Sequence, residues 1–295
     1  MTPPLTPPQA VLAAASAARA LAHPVVVKLG GSAMEEPAAT RGTLECVAAV
    51  HKLGAKLVLV HGGGKPIDRA MAAAGIEPRK VQGRRYTDDA TLAIVVRVLC
   101  EITADLLRQF DQTGSRGTSF TDVDHLELAD SYPIRGQRLT LAGPDGEVID
   151  LGHVGRVAEV WAAKLLQFLN DGEVCFLPSL AADPDDNWLN VNADTVAGAV
   201  AGALQSDHCL FLTDTPGVLA DRDNPQSLLP KLTVEQCREL IASGVIAGGM
   251  IPKVEACFDA LQAGAKQAVI LDGRRPHALL EWLLGEPAGT VIASR

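Results

Sequence analysis

Aromatic side chains are scarce in this chain. Phe, Trp and Tyr supply 4% of its 295 residues, too little to build a stacking platform for nucleic-acid bases. Basic charge is not in excess either: the formal net charge is −9, which argues against neutralising a phosphate backbone. A small anion needs only a local gathering of positive groups. No CxxC pair occurs among the six cysteines. Cys46, Cys100, Cys175, Cys209, Cys237 and Cys257 sit singly in apolar surroundings, which reads as buried thiols in a reducing cytoplasm and argues against zinc. No apolar run reaches the roughly 18 residues that would suggest a membrane span. No turn spells GxGxxG, which excludes a Rossmann dehydrogenase. Asp122, Asp124, His125 and Glu127 match no metal motif and read as solvated. Met1 to Ala22 has no basic residue before its apolar part and only Arg19 thereafter, a poor fit to a secretory signal or a transit peptide; Gln9 to Leu21 reads as one short helix.

What the chain has is apolar strand material and glycine: 47% hydrophobic residues and 27 glycines, enough for one large core or two moderate ones. Val25-Val26-Val27-Lys28-Leu29-Gly30-Gly31-Ser32 reads as a buried strand that ends in a lysine and a turn. Backbone amides left bare at such a turn form an anion cradle, and Lys28 adds a positive charge. The unit recurs at Ala55 to Val60 followed by His61-Gly62-Gly63-Gly64, with helices expected over Thr40 to Leu53 and Ile67 to Ala74. Two cradles at equivalent strand ends mark the ligand edge of a parallel α/β sheet.

Further along, Arg79 to Asp88 is a basic loop, with Thr87 or Asp88 capping a helix to about Phe110. Asp111 to Gly146 reads as a β-hairpin excursion with strand pieces at Leu126-Leu128 and Arg138-Leu141. A helix is expected over Val157 to Asp171 and a strand at Val174 to Pro178. Asn190, Asn192 and Asp194 crowd the start of a small-residue helix, where capping needs only one of them. Cys209 to Leu212 is a strand ending in the polar turn Thr213 to Leu219. Gly248-Gly249-Met250-Ile251-Pro252-Lys253 opens a helix to Ala263. A lysine near a helix N-terminus opposes the dipole, which makes sense where an anion is expected. The strand Ala268 to Leu271 and a helix over Pro276 to Leu284 complete the α/β alternation.

Taken in order, Lys28-Leu29-Gly30-Gly31, His61-Gly62-Gly63-Gly64, Asn190-Val191-Asn192-Ala193-Asp194, Thr213 to Val218 and Gly248 to Lys253 resemble the amino acid kinase family, over about Val25 to Ile292. Gly83 to Asp88 and Asp150 to Gly155 resemble its branch that phosphorylates N-acetyl-L-glutamate. The resemblance implies a three-layer α/β/α sandwich with a mostly parallel central sheet. It implies an extension over residues 1–22, an acceptor-binding and dimerisation lobe over 23–189 and an ATP-binding lobe over 190–295. The implied reaction moves the γ-phosphoryl of ATP to the side-chain carboxylate of N-acetyl-L-glutamate, in arginine biosynthesis, with Mg²⁺ carried by the nucleotide phosphates and no protein-held metal.

By the same resemblance, Lys28 and Lys253 stabilise the transition state, and Asp194 lies between them and aims both. Gly30 and Gly31 cradle the phosphoryl oxygens, with Gly63 contributing. Gly63, Gly64, Arg85 and Asn190 hold the acceptor. Asp214, Thr215, Gly217, Val218, Leu219, Val245, Ile246 and Ala247 border the nucleotide. The implied partners are a second copy in a homodimer, a hexamer formed through the N-terminal helix, and arginine as an effector near His277, Glu281 and Gly289. The segments 117–124 and 102–105 depart from the family pattern, both in the acceptor half. An N-blocked aminoadipate as acceptor, and a nucleotide-binding paralogue without catalysis, are the alternative readings.

Overall fold

The computed structural model describes residues 17–18, 21–122, 129–143, 145–275, 277–286 and 288–294. The expected helix over Gln9 to Leu21 falls almost wholly outside them. So do the strand piece Leu126-Leu128, the acidic residues Asp124 and Glu127, and His125.

The elements follow in chain order: β1 (Val25–Leu29), α1 (Gly31–Glu35), α2 (Pro37–Lys52), β2 (Leu57–His61), α3 (Gly64–Ala73), β3 (Lys80–Val81), β4 (Arg84–Arg85) and α4 (Asp89–Asp111). Then come β5 (Gly117–Ser119), β6 (Ile134–Ala142), β7 (Val148–Val160), α5 (Ala162–Asn170), β8 (Val174–Pro178), β9 (Leu180–Ala182), β10 (Trp188–Asn190) and α6 (Ala193–Ala203). The chain ends with β11 (His208–Thr213), β12 (Lys231–Thr233), α7 (Val234–Ala242), a 3₁₀ turn (Gly248–Met250), α8 (Ile251–Ala263), β13 (Gln267–Asp272), α9 (Ala278–Leu283) and β14 (Gly289–Ala293).

Eight strands form the main sheet in the order β12-β14-β13-β11-β1-β2-β8-β5. Within this sheet, among the described residues, only β13 and β14 pair antiparallel. Side chains alternate across it, as strand geometry requires. Val25, Val27 and Leu29 enter one core with Leu44 and Val47 of α2 and Leu279 of α9. Val26 enters the other with Val196 and Val200 of α6 and Val254 of α8. Helices therefore cover both faces, giving the α/β/α sandwich. The expected lobe boundary between residues 189 and 190 falls within β10, and the sheet runs on across it: β1 pairs with β2 on one side and β11 on the other.

Strands β6, β7, β9 and β10 close a second, small barrel. Here the sequence expectation fails: the helix expected from Val157 starts at Ala162. Arg156, Val157, Glu159 and Val160 pair with β6 instead, so cross-strand pairing outweighs their local helix preference. Two other helices start earlier than the periodicity predicts. In α2 Pro37 takes the first turn, where its missing N–H costs nothing, and α3 springs directly from the glycine turn at Gly63.

Candidate active site

Lys28, two residues on from Val26 along β1, shares its face and so faces α6. Its Nζ lies 2.8 Å from Asp194 Oδ1, with 15% of the lysine side chain and 31% of the aspartate exposed. The three polar residues before α6 divide their work. Asn192 is the cap, its Oδ1 accepting from the amides of Asp194 at 2.7 Å and Thr195 at 3.2 Å. Asn190 Nδ2 donates to Thr87 Oγ1 at 3.1 Å, and that hydroxyl donates to the Arg85 carbonyl at 3.0 Å. Asp194 is left for the lysine.

Lys253, in the first turn of α8, has a different carboxylate. Its Nζ lies 3.0 Å from Asp214 Oδ1 and donates to the Gly249 carbonyl at 3.1 Å. Asp194 thus pairs with Lys28 and Asp214 with Lys253, so two separate pairs stand at the site. Asp214 follows the last residue of β11, within reach of an ammonium turned back over the 3₁₀ turn. Partial burial pushes the Asp214 carboxyl up, but the hydrogen bond and charge of Lys253, helped by Arg274, hold it below the ordinary carboxylate range.

The glycines differ in kind. Gly30 donates its amide to the Leu212 carbonyl at 2.9 Å, so the N–H expected to cradle phosphoryl oxygens is not bare in this structure. A Cβ on Gly30 would sit 2.4 Å from the same oxygen, so glycine lets β1 leave the sheet close to β11. Gly31 opens α1, where an amide has no intrahelical acceptor. Gly63 caps α3, and a Cβ there would press on Leu99, Ile102 and Ile67 at 3.0–3.3 Å, whereas Gly64 faces open space. Beneath this turn His61 is fully buried, its Nε2 2.8 Å from Thr103 Oγ1. Burial pushes its pKa down to about 4, so it is a neutral structural residue at pH 7.

Arg85 ends the short hairpin of β3 and β4. Its Nη2 lies 2.6 Å from Asp68 Oδ1 and points to the Gly64 carbonyl at 3.4 Å, and Nη1 meets Met71 Sδ at 3.1 Å. The guanidinium is thereby held beside the second glycine turn. Asp88 caps α4, accepting from the Thr91 amide at 2.8 Å. All six cysteines are buried and outside disulfides. Burial pushes the Cys46, Cys100 and Cys237 thiols up to about 11, which argues against a thiolate nucleophile.

A cleft of about 770 Å³ brings together Lys28, Gly30, Gly31, Gly63, Gly64, Arg85, Asn190, Asp194 and Lys253. A neighbouring pocket of about 390 Å³ is lined by Asp214, Thr215, Gly217, Val218, Leu219, Val245, Ile246 and Ala247. Asp214, Gly249 and Lys253 line both, so they form the passage between them. Every residue expected in catalysis or in acceptor, phosphate or nucleotide binding lines one of these two spaces, whereas His277, Glu281 and Gly289, expected near an arginine effector, line neither. Sequence reasoning missed Lys65, Lys80 and Arg84 in the cleft and Arg222 in the pocket. Lys80 and Arg84 stood in the basic loop already singled out; Arg222, inside a polar loop, carried no signal.

A family model described as the amino acid kinase family matches residues 23–272. The chain is 39% identical over 270 residues to an acetylglutamate kinase of Synechococcus sp., covering 91% of this chain and 85% of that protein. It is 40% identical over 273 residues to an acetylglutamate kinase of Methylobacterium nodulans, covering 91% and 88%. Its backbone superposes on an N-acetylglutamate synthase from Neisseria gonorrhoeae, complexed with coenzyme A and N-acetyl-glutamate, with a TM-score of 0.80 at 21% identity. That match covers 99% of this chain and 64% of the longer synthase chain. This protein belongs to the amino acid kinase family.

Proposed function

We propose that the protein phosphorylates the side-chain carboxylate of N-acetyl-L-glutamate with ATP, giving N-acetyl-L-glutamyl 5-phosphate and ADP in arginine biosynthesis. The observation that carries this is the pair of lysines, Lys28 and Lys253, lining one cleft from opposite halves of the chain. Each is held by its own carboxylate. The acceptor named by the relatives favours glutamate over the longer aminoadipate.

The residues fit the chemistry. A carboxylate with an ordinary pKa of about 4.3 is ionised at neutral pH, so no general base is required. A carboxylate oxygen bonds to the γ-phosphorus as the bond to the β–γ bridging oxygen breaks, and ADP leaves with that electron pair. What the protein supplies is position and positive charge where negative charge shifts. In this reading Lys28 and Lys253 approach the transferring phosphoryl, and Asp194 and Asp214 aim them. The Gly31 and Gly63 amides meet phosphoryl oxygens. Arg85 and Asn190, with the open backbone at Gly63 and Gly64, hold the acceptor. The pocket beyond Lys253 takes the nucleoside, and Mg²⁺ enters with the nucleotide as part of that substrate. The retained lysines and carboxylates argue against a non-catalytic binder.

The reading also makes the protein a cytoplasmic homo-oligomer, a dimer joined into a hexamer through residues 1–22 and responsive to arginine. No helix among the described residues is long and apolar enough to cross a membrane. Sizing the protein with and without residues 1–22, and assaying it with and without arginine, tests those parts. The central test traps the acyl phosphate with hydroxylamine. Turnover of N-acetyl-L-glutamate is expected, and Lys28→Ala should lower kcat far more than it raises KM for ATP. No turnover of that acceptor overturns the proposal, and an unchanged kcat removes Lys28 from the mechanism.

A further inference from the structure

The smaller pocket has walls of Pro216, Val218, Leu219, Val245, Ile246 and Met250. Such a volume and lining suit a flat heteroaromatic ring. Yet among the described residues no Phe, Tyr, Trp or His lines it, in keeping with the scarcity of aromatics in the whole chain. The planar delocalised cation on its wall is the guanidinium of Arg222. This residue lines the pocket but not the larger cleft, whereas Lys253 lines both. Arg222 therefore stands on the side away from Lys28.

Arg222 is exposed and has no hydrogen bond or ion pair among the described residues. Its acidic neighbours do not claim it: Asp221 Oδ1 accepts from the Asp223 amide at 3.0 Å instead. The loop that carries it is nonetheless built. Leu219 and Leu228 form an antiparallel bridge, and the Ala220 amide donates to the Ser227 carbonyl at 2.9 Å. Ser227 Oγ accepts from the Asp221 amide at 2.9 Å and donates to the Asp221 carbonyl at 2.8 Å. From this frame the guanidinium reaches the 3₁₀ turn. Its Nη2 lies 4.0 Å from where a Cβ on Gly248 would sit, and Gly248 has φ +57°.

We infer that Arg222 is a nucleotide-positioning residue whose guanidinium lies flat against the exposed face of the purine ring. The inference rests on the ATP chemistry proposed above. A guanidinium is planar, weakly hydrated and suited to stacking on π-faces, which an ammonium does not reproduce. It supplies the stacking surface that an aromatic side chain would otherwise provide, and it does so beyond the phosphates.

The test compares wild type, Arg222→Ala and Arg222→Lys by calorimetric binding of ADP and by adenosine as a competitive inhibitor against ATP. Arg222→Ala is expected to weaken ADP and adenosine by the same factor, about 3–30-fold. Arg222→Lys should fail to restore either, while kcat at saturating ATP and KM for the acceptor stay at wild-type values. Unchanged binding in Arg222→Ala overturns the inference. So does a loss confined to ADP, full rescue by lysine, or a wild type that adenosine does not inhibit. If wild type binds ADP and the variants match it, this inference alone fails. If wild type binds no ADP, the proposed function falls with it.

Discussion

Acid should destabilise this protein through His61 before its carboxylates are affected. The residue is fully buried at the end of β2, and burial lowers its pKa from 6.5 to about 4. Between those values the unfolded chain binds a proton that the folded chain refuses, so stability rises with pH across that window. The contribution is present in full above about pH 6.5 and is lost by about pH 4; the whole shift is worth about 3 kcal/mol, of which about 2 are gone at pH 5. Asp207, Asp214 and Asp272 are held below the ordinary carboxylate value. Their contributions disappear only as pH falls below about 4, under the histidine window. His208, also lowered by burial, acts in the same direction as His61. Urea unfolding at pH 7 and pH 5 measures the effect in wild type and in His61→Gln, whose amide can still donate to Thr103. The variant should lose about 2 kcal/mol less than wild type between the two pH values. Equal losses in both proteins would falsify the assignment of the acid sensitivity to His61.

Gly30→Ala should destabilise the fold by about 1–3 kcal/mol, since its Cβ would lie 2.4 Å from the Leu212 carbonyl oxygen and the strands must part; thermal unfolding measures it. Gly64→Ala, with nothing within 4 Å, should leave unfolding nearly unchanged and raise KM for the acceptor, as steady-state kinetics would read. Arg85→Lys should raise acceptor KM by roughly tenfold or more with little change in kcat, because the fork beside Asp68 and Gly64 is lost. Asp214→Asn should lower kcat more than it raises KM for ATP, since it frees Lys253 without touching the pair at Lys28; steady-state kinetics would read the split.

The sequence was most legible where one residue type has one physical use. Three β-branched residues before Lys28-Leu29-Gly30-Gly31 announce a buried strand with a polar end, and Asn190, Asn192 and Asp194 exceed what one cap needs. The structure gives each a separate partner. What could not be read is which carboxylate meets which lysine. Asp194 and Asp214 both precede or open elements near the same cleft, and only the path of the chain assigns Lys253 to Asp214. Gly30 misled for a related reason: an amide free by local geometry is taken by a carbonyl from Leu212, far along the chain. Residues 157–160 read as the start of a helix because their partner strand β6 cannot be inferred from local propensity.

Adjacent strands also act as a ruler. In β1 and β2, Leu29 stands opposite His61, so the two glycine turns leave the sheet side by side, about one strand spacing of 4.8 Å apart. That interval is set by backbone hydrogen bonds deep in the sheet and not by any loop. Donor and acceptor would thus be held at a transfer distance that motion of the outer hairpins can gate but cannot stretch. The loops around one turn could then be rebuilt for a new acceptor without moving the phosphoryl group it receives.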